Sequence, residues 1–253
     1  MKIFTDKNNI IKLLSIVFAF VIWQIVSMKV GQSMLLASPI DVIKRLFELI
    51  KEPEFLGTVA YSFGRISFGF LIAFVLGTIF GILAGKAPAL EAILWPYVTV
   101  VKTVPVASFI ILCLIWFDMT YLSIIISALI SFPIIYTNVL TGMKSTDKKM
   151  KDMASIYNIP SNKQFIYIYM PSVKPYILSA ANVAIGMAWK SGVTAEIIGM
   201  TDGSIGDMFY QAKVYFQNAE LLCWTLVIVF VSVLSEKIFV AFLKALFKGG
   251  ERL

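Results

Sequence analysis

Residues 152–171 read DMASIYNIPSNKQFIYIYMP, a polar stretch set between two segments that are apolar enough to cross a bilayer. Asn158 tolerates the left-handed backbone conformation that ends a helix, and Pro160 cannot continue one. Ser161 and Gln164 then have the spacing of a capping box, which predicts a new helix start. The stretch therefore predicts a short, exposed helical hairpin between two membrane spans.

The composition around this stretch is that of a membrane protein. The chain has 253 residues, of which 59% are hydrophobic and 15% are charged, and its mean hydropathy is +0.85. These values predict a polytopic membrane protein made of one all-α transmembrane domain over residues 1–253. The sequence contains no Gly-x-x-x-x-Gly-Lys-Ser/Thr phosphate loop, so any nucleotide hydrolysis must come from a partner subunit.

Apolar stretches predict six transmembrane helices, at residues 10–28, 57–85, 89–117, 121–140, 175–199 and 219–247. The second stretch carries small residues at four- and eight-residue steps: Gly69, Gly77, Gly81 and Gly85. Such a face indicates close contact with another helix. The third stretch is too long for one straight crossing and is interrupted by Pro96 and Pro105. A broken segment is tolerated in a membrane where it packs inside protein or lines a cavity.

Residues 38–51 predict an amphipathic helix on the outer surface. Ser38 and Pro39 have the order of an N-cap and a first helical residue. The apolar positions at helical spacing are Ile43, Leu46, Phe47 and Ile50. We expect this helix to be a structural brace or a receptor-docking surface. Residues 200–219 are predicted to form an outer loop before the last span.

Lysine and arginine residues are distributed unequally between the predicted loops. The six-span topology places the following on the cytoplasmic side: Lys2, Lys7, Lys12, Lys86, Lys144, Lys148, Lys149, Lys151, Lys163, Lys174, Lys244, Lys248 and Arg252. The other side receives Lys29, Lys44, Arg45, Lys51 and Lys213. This positive-inside pattern predicts that both termini and the 152–171 stretch are cytoplasmic. It also accounts for the net charge of +7 without a nucleic-acid partner.

Residues suited to metal or covalent chemistry are scarce. The chain has no histidine and two cysteines, and Cys113 and Cys223 each lie in an apolar run without another Cys nearby. Both are predicted to be small core or lipid-facing residues. No nucleophile and base stand at a recognisable spacing. We therefore expect no metal, no cofactor bound by this chain and no catalytic residue.

Charged side chains inside the predicted spans are candidates for a translocation path. Lys102 lies three residues before Pro105, which makes this pair the first candidate. Lys190 and Glu196 share the fifth span, but their spacing does not bring them together on one helix face. Their partners are therefore expected on other helices or across a subunit interface. Arg65 is the remaining candidate.

Three of these four charges also have a structural interpretation. Arg65 and Lys102 are long enough to reach a membrane interface from within a span. Glu196 can serve a role near the outer end of its span instead of in a path. The sequence alone does not choose between these alternatives.

The 152–171 stretch resembles the EAA signature of ABC importer permeases. That signature runs Glu-Ala-Ala, three residues, Gly, nine residues, Ile, one residue, Leu and Pro. The matching positions here are Asp152, Met153, Ala154, Asn158, Ile168, Met170 and Pro171. The spacing agrees throughout, while Glu to Asp, Ala to Met, Gly to Asn and Leu to Met are departures. Asp keeps the charge, and Asn keeps access to positive φ.

A second resemblance extends over about residues 55–245. The run GRISFGFLIAFVLGTIFGILAG at 64–85 and the Lys-x-x-Pro at 102–105 look like the nitrate, sulfonate and taurine branch of type I ABC importers. Residues 1–54 add the first helix and the outer amphipathic helix to this core. Asp118 stands where the branch usually has glycine, and Lys190 stands where an uncharged residue is expected. These departures bear on the substrate and not on the class.

The resemblance implies the partners and the working parts of the protein. It implies a dimeric permease in the cell membrane, two ATPase subunits that bind ATP and Mg²⁺, and an extracellular or periplasmic substrate-binding protein. A homodimer is the expected form of the permease, and a heterodimer is the alternative that the sequence leaves open. It also implies that the 152–171 stretch is a coupling loop seated in a cleft of the ATPase. The residues assigned to that loop are Asp152, Ala154, Tyr157, Asn158, Ile159, Phe165, Ile168 and Pro171. Among them, Tyr157, Ile159 and Phe165 are the expected apolar anchors, and Asp152 is a charged contact or an internal brace.

The substrate class stays open at this point. Lys102, Lys190 and Arg65 favour a small anion such as a sulfonate or a nitrate-like solute, provided that they face the cavity. Members of the same branch also carry neutral vitamin precursors and pyrimidines. A different class of protein, an ion-coupled carrier or a membrane scaffold without an ATPase, is the further alternative. A carrier is expected to have internal repeats and acidic residues near the membrane midplane, and the sequence has no clear repeat.

Overall fold

A computed structural model describes residues 7–31 and 35–250 of the chain. The helices are α1 (Lys7–Val30), α2 (Pro39–Leu49), α3 (Phe55–Lys86), α4 (Pro88–Thr103), α5 (Val106–Trp116), α6 (Met119–Lys144), α7 (Lys148–Ile156), α8 (Ser161–Gln164), α9 (Met170–Gly199), α10 (Ile205–Val214) and α11 (Asn218–Gly250). A π-helical turn, Phe165–Tyr169, joins α8 to α9. No strand occurs in these two ranges, and the predicted all-α class is confirmed. Lys2 and Arg252, which the sequence-based topology uses, lie outside the described residues.

Within the described residues, three helices are each long and apolar enough to cross a membrane: α3, α6 and α11. The predicted broken third span is α4 followed by α5, which bend by 107° between Thr103 and Val106. Pro96 lies inside α4 without ending it, so the break occurs only at Pro105. The other two predicted spans correspond to α1 and α9. The count of six spans therefore remains a prediction.

The glycine face of α3 packs against α6, as the sequence predicts. A Cβ atom on Gly69 would lie 2.3 Å from the carbonyl oxygen of Ile124, and one on Gly85 would lie 2.5 Å from Cβ of Met143. These distances leave no room for a side chain. The two helices therefore run in contact along their length, as small residues permit in lipid.

The core lies between α3, α6 and α9, with α11 and α2 packed on its flank. Small residues of α9 line this core, and Ala180, Ala184 and Ala188 are fully or almost fully buried. Both cysteines are buried and free, in agreement with their predicted core role. Cys223 of α11 donates its thiol hydrogen to the Val42 carbonyl of α2, with Sγ and O 3.1 Å apart.

Helix α2 begins as predicted but presents its apolar residues differently. Pro39 is the first helical residue, and the Ser38 side chain accepts a hydrogen bond from the Asp41 amide at 3.2 Å. Val42 and Leu49 face the core and form the packed face of the helix. Of the predicted apolar positions, Leu46 is half-buried, and the other three are exposed: Ile43, Phe47 and Ile50. Helix α2 packs against α11 on the side that carries Val42, and this contact explains why the other apolar side chains are exposed.

An ion-pair network fixes α2 to the start of α11. Nη2 of Arg45 lies 2.9 Å from Oε2 of Glu220, and Nη1 lies 3.0 Å from Oε1 of Glu52. Burial lowers the pKa of the Arg45 guanidinium, but hydrogen bonding and the charge of Glu220 outweigh this effect and raise it. The contact joins two elements that are far apart in sequence, which favours the brace over the docking surface for α2.

Two expectations about helix boundaries were wrong. The predicted outer loop 200–219 contains α10, whose N-cap Ser204 accepts a hydrogen bond from the Asp207 amide at 3.0 Å. The predicted fifth span starts at Pro175, whereas the helix starts earlier and carries Pro175 in its interior. The chain thus enters α9 directly from the π-turn Phe165–Tyr169, and Pro175 does not mark the start of the helix.

Candidate coupling loop and translocation face

The 152–171 stretch forms the predicted helix, break and helix. Helix α7 ends at Ile156, and Asn158 adopts a positive φ of 49°. The Ile159 amide donates to the Ala154 carbonyl at 2.9 Å, and the Asn158 amide donates to the Ser155 carbonyl at 3.1 Å. This pair of bonds is the Schellman arrangement that closes a helix. We call the end of the bundle that carries α7 and α8 the loop side and the other end the far side.

The second helix of the loop begins without the predicted capping box. Pro160 occupies the N-cap position, and Ser161 is already helical. The Gln164 side chain donates from Nε2 to the Ile159 carbonyl at 2.7 Å instead of accepting from the Ser161 amide. Proline can fill the N-cap because its backbone conformation is extended there, with ψ near 142°. The predicted break is correct, and its predicted capping mechanism is wrong.

The coupling-loop residues divide into a buried base and an exposed face. Ala154 and Ile168 are buried, and Ile159 is half-buried. Tyr157 is 73% exposed, and the preceding Ile156, which the sequence interpretation did not single out, is 75% exposed. Tyr167 is 66% exposed and was missed as well. Its position in the apolar run FIYIY gave no indication of which side would face outward.

The remaining loop residues lie at the edges of this face. Phe165 is half-buried, with its ring centroid 5.2 Å from Nζ of Lys86 at the end of α3. Asp152 and Pro171 are exposed, and within the described ranges Asp152 forms no ion pair. Between α7 and the π-turn lies a concave surface of about 400 Å³, lined by Met150, Met153, Tyr157, Asn158, Ile159, Pro160, Lys163, Tyr167 and Ile168.

The first candidate for the translocation path lies at the bend between α4 and α5. Lys102 is in the last turn of α4, and Pro105 is the residue before α5. Both are exposed. Nζ of Lys102 donates to Oγ1 of Thr137 at 3.3 Å, in the loop-side half of α6. The lysine thus lies beside the bundle surface and not in the core of the chain.

Lys190 is an exposed cation on a helix that is otherwise largely buried. It lies in the far-side half of α9, and its carbonyl accepts a hydrogen bond from Oγ1 of Thr194 at 2.7 Å. One turn before it, a Cβ atom on Gly186 would meet nothing within 4 Å. This strip of α9 therefore faces open space beside the single chain.

Glu196 lies in the interior of the chain, with no exposed surface. Its Oε2 accepts from Oγ of Ser62 at 2.8 Å and from the Gly206 amide at 3.3 Å. Oγ of Ser62 in turn accepts from the Ile205 amide at 2.9 Å. The carboxylate thus joins α9 to α3 and to the start of α10. As predicted, its partners are on other helices, and it does not pair with Lys190.

Arg65 is turned toward α6 at the far side. Its Nε donates to Oγ of Ser123 at 3.1 Å, and its Nη1 donates to the Tyr61 hydroxyl. The guanidinium carbon lies 4.9 Å from the Tyr61 ring centroid. The structure therefore brings Arg65 and Glu196 to the same far-side region, whereas Lys102 and Lys190 lie on separate exposed faces at different depths.

No cluster of three or more His, Cys, Asp or Glu side chains that could hold a metal ion occurs within residues 7–31 and 35–250. The functional geometry instead consists of the loop face and of the charges along α3, α4 and α9. Charges that are held by hydrogen bonds or left on open helix faces can bind a solute or stabilise helix contacts.

Residues 77–249 match the family model described as the binding-protein-dependent transport system inner membrane component. The putative aliphatic sulfonates transport permease protein SsuC of Bacillus subtilis is 29% identical, over 85% of this chain and 78% of that protein. The formylaminopyrimidine transport permease protein ThiX of Halalkalibacterium halodurans is 26% identical, over 72% of this chain and 73% of that protein.

A crystal structure of an amino acid ABC transporter with histidines contains a chain of similar fold. The TM-score is 0.58 at 16% identity, and the match covers 79% of this chain and 94% of that chain. The family assignment excludes the ion-coupled carrier and the scaffold as alternatives. Members of this family are transport subunits and not enzymes, and they work with an ATPase and a substrate-binding protein. The chain therefore belongs to the family of binding-protein-dependent transport system inner membrane components, as an ABC importer permease of the branch that includes the sulfonate, nitrate and taurine permeases.

Proposed function

We propose that this chain forms the translocation path of an ATP-driven importer for a small organic or inorganic anion, such as a sulfonate or nitrate. The observation that carries this proposal is Lys190, an exposed cation on the otherwise largely buried helix α9. A charged side chain in the low-dielectric interior of a membrane acts strongly on a passing ion. Lys102 contributes a second cationic position on the path, at the bend that Pro105 marks between α4 and α5.

The path requires a second permease copy, and we propose a homodimer. Lys102 and Lys190 lie on faces that the described helices of their own chain leave uncovered. Large apolar side chains of α5 are also uncovered, including Ile115, which is 71% exposed, and Trp116, which is 72% exposed. A second copy packed against the exposed strip of α9 would enclose Lys190 between the two chains.

Arg65 and Glu196 take a different part in this proposal. Both are held by hydrogen bonds to neighbouring helices, so they fix the far-side end of the path. Arg65 additionally contributes a positive charge at this end, although its Nη2 is buried without a hydrogen-bond partner. Glu196 repels anions, and its place inside the bundle keeps its charge away from the path.

The loop couples the permease to two ATPase subunits, which bind ATP and Mg²⁺. Ile156, Tyr157 and Tyr167 present apolar surface on an otherwise polar loop. A few buried aromatic and aliphatic anchors carry most of the binding energy at a protein interface. Asp152 is an exposed charge at the edge of this face. A substrate-binding protein docks at the far side, and the termini and the loop are cytoplasmic.

Transport measurements test the anion assignment. The chain is expressed with its ATPase and binding protein, and uptake of radiolabelled taurine, nitrate and formylaminopyrimidine is compared. Lys190→Met should lower anion uptake at least about tenfold, because a charge contact in a low-dielectric site is worth more than about 1.4 kcal/mol. Lys190→Arg should retain most of it, and Lys244→Met, at an exposed lysine of α11, is the matched control.

A neutral solute is the second candidate, and the similarity to the formylaminopyrimidine permease favours it. Under that alternative, Lys190→Met would leave uptake of the transported solute within about twofold of wild type, since an uncharged solute gains little from a nearby cation. Uptake of formylaminopyrimidine but of neither anion would replace the anion proposal with this one.

A further inference from the structure

Lysine side chains and aromatic rings stack at the base of the loop. Nζ of Lys86 lies 5.2 Å from the ring centroid of Phe165 and 5.6 Å from that of Tyr169. Nζ of Lys151 lies 5.7 Å from the Tyr169 centroid. All three distances are within the range of cation–π attraction. We call Lys86, Lys151, Phe165 and Tyr169 the lysine–aromatic stack.

The stack joins three elements that the chain separates widely. Lys86 is the last residue of α3, Lys151 is in α7, and the two rings belong to the π-turn before α9. Within the described ranges, neither lysine lies within ion-pair distance of a carboxylate. The aromatic rings are therefore the groups that fix the two ammonium groups in place.

Helix α3 can carry a displacement from this stack across the bundle. Its glycine face allows no gap toward α6, since a Cβ atom on Gly81 would lie 2.8 Å from Cβ of Val139. At the far end of α3, Oγ of Ser62 contacts both Glu196 and the Ile205 amide at the start of α10. Helix α3 thus contacts the loop base at one end and the far-side helix α10 at the other.

We propose that Lys86 is a coupling residue, which makes α3 move with the loop when the ATPases change state. This inference rests on the proposed role of the loop in binding the ATPase. The π-turn supports it, because such turns are frequent at functional sites in helices. If the stack holds, a shift of the loop displaces α3, and the Ser62 contact transmits that displacement to α10. If Lys86 releases the rings, the loop can move while α3 stays in place.

The test measures access to the path from the far side. Thr194→Cys places a thiol one turn from Lys190, in a background in which Cys113 and Cys223 are replaced by alanine. The chain and its ATPase are reconstituted in proteoliposomes with or without enclosed ATP and orthovanadate, and a membrane-impermeant maleimide is added outside. Only complexes whose ATPase faces inward respond to the nucleotide, so the difference between the two preparations reports the change in far-side access.

We expect Lys86→Met to leave ATPase copurification intact and to reduce the nucleotide-dependent change in labelling rate about fivefold or more, because two cation–π contacts are lost. Lys86→Arg retains a cation over the rings and should keep the wild-type change. Phe165→Leu, which removes one ring but keeps an apolar side chain, should reduce the change as well. Lys244→Met, an exposed lysine on the loop side of α11, is the matched control.

Three results would overturn the inference, and they can be told apart. A wild-type chain that binds no ATPase would remove the proposed function of the loop, and the inference with it. A Lys86→Met chain that binds the ATPase and still shows the full wild-type change in labelling would overturn only the role of Lys86. A loss of ATPase binding in Lys86→Met would also overturn it, because the stack would then serve to shape the docking surface.

Discussion

At the scale of the residue, Glu196 shows what the sequence can and cannot predict about a buried charged side chain and its partners. A carboxylate in an apolar span indicates a functional or structural role, and its spacing from Lys190 excludes a pair on one helix. The actual partners are Ser62 and the Gly206 amide, both far away in sequence. No local pattern reveals them, because tertiary packing alone sets the distance from α9 to α3.

Removing the Glu196 carboxylate should destabilise the far-side end of the bundle. Glu196→Ala leaves the Gly206 amide and the Ser62 hydroxyl without their buried acceptor, which costs about 1–3 kcal/mol. Glu196→Gln keeps an acceptor oxygen and should cost less than half as much. Thermal unfolding of the purified variants in one detergent measures the difference. Equal midpoints for wild type and Glu196→Ala would show that these contacts contribute nothing.

At the scale of the element, the sequence predicts type and order better than boundaries. The glycine steps of α3 predicted a close contact with another helix, because small residues allow such an approach, but not that this helix would be α6. Helix α10 was missed, although Ser204 and Asp207 have the spacing of a capped helix start. Its short length and flanking glycines resemble a loop. Likewise, the start of α9 was placed too late, because Pro175 was taken as the start of the span although it lies inside the helix.

The packing of α3 predicts opposite outcomes for two glycines of the same helix. A Cβ atom on Gly69 would lie 2.3 Å from the Ile124 carbonyl oxygen, whereas one on Gly64 would meet nothing within 4 Å. Gly69→Ala should therefore cost about 1–3 kcal/mol through overpacking. Gly64→Ala should be neutral or stabilising by up to about 1 kcal/mol, owing to its better helix propensity. Unfolding midpoints that fall equally in both variants would mean that α3 and α6 are not in contact.

At the scale of the whole molecule, the class of protein could be predicted because composition, span order and the loop signature agree. The loop face could be predicted only in part. Tyr157, an expected anchor, is exposed. Ile156 and Tyr167 are exposed as well but were not singled out, and Phe165 turns inward toward Lys86. The direction of each side chain depends on the Schellman turn at Asn158 and on the π-turn, and both form in the context of the packed bundle.

Copurification of an ATPase subunit with this chain tests whether the loop binds the ATPase. The tagged chain is purified in mild detergent as wild type and as an Ile156→Ala, Tyr157→Ala double variant, with Lys244→Met as the control. Wild type and control should retain an ATPase subunit. Loss of two anchor side chains should weaken its binding at least about tenfold, because each anchor at an interface is worth about 1–2 kcal/mol. Equal ATPase retention by the double variant, or no ATPase with wild type, would contradict the account.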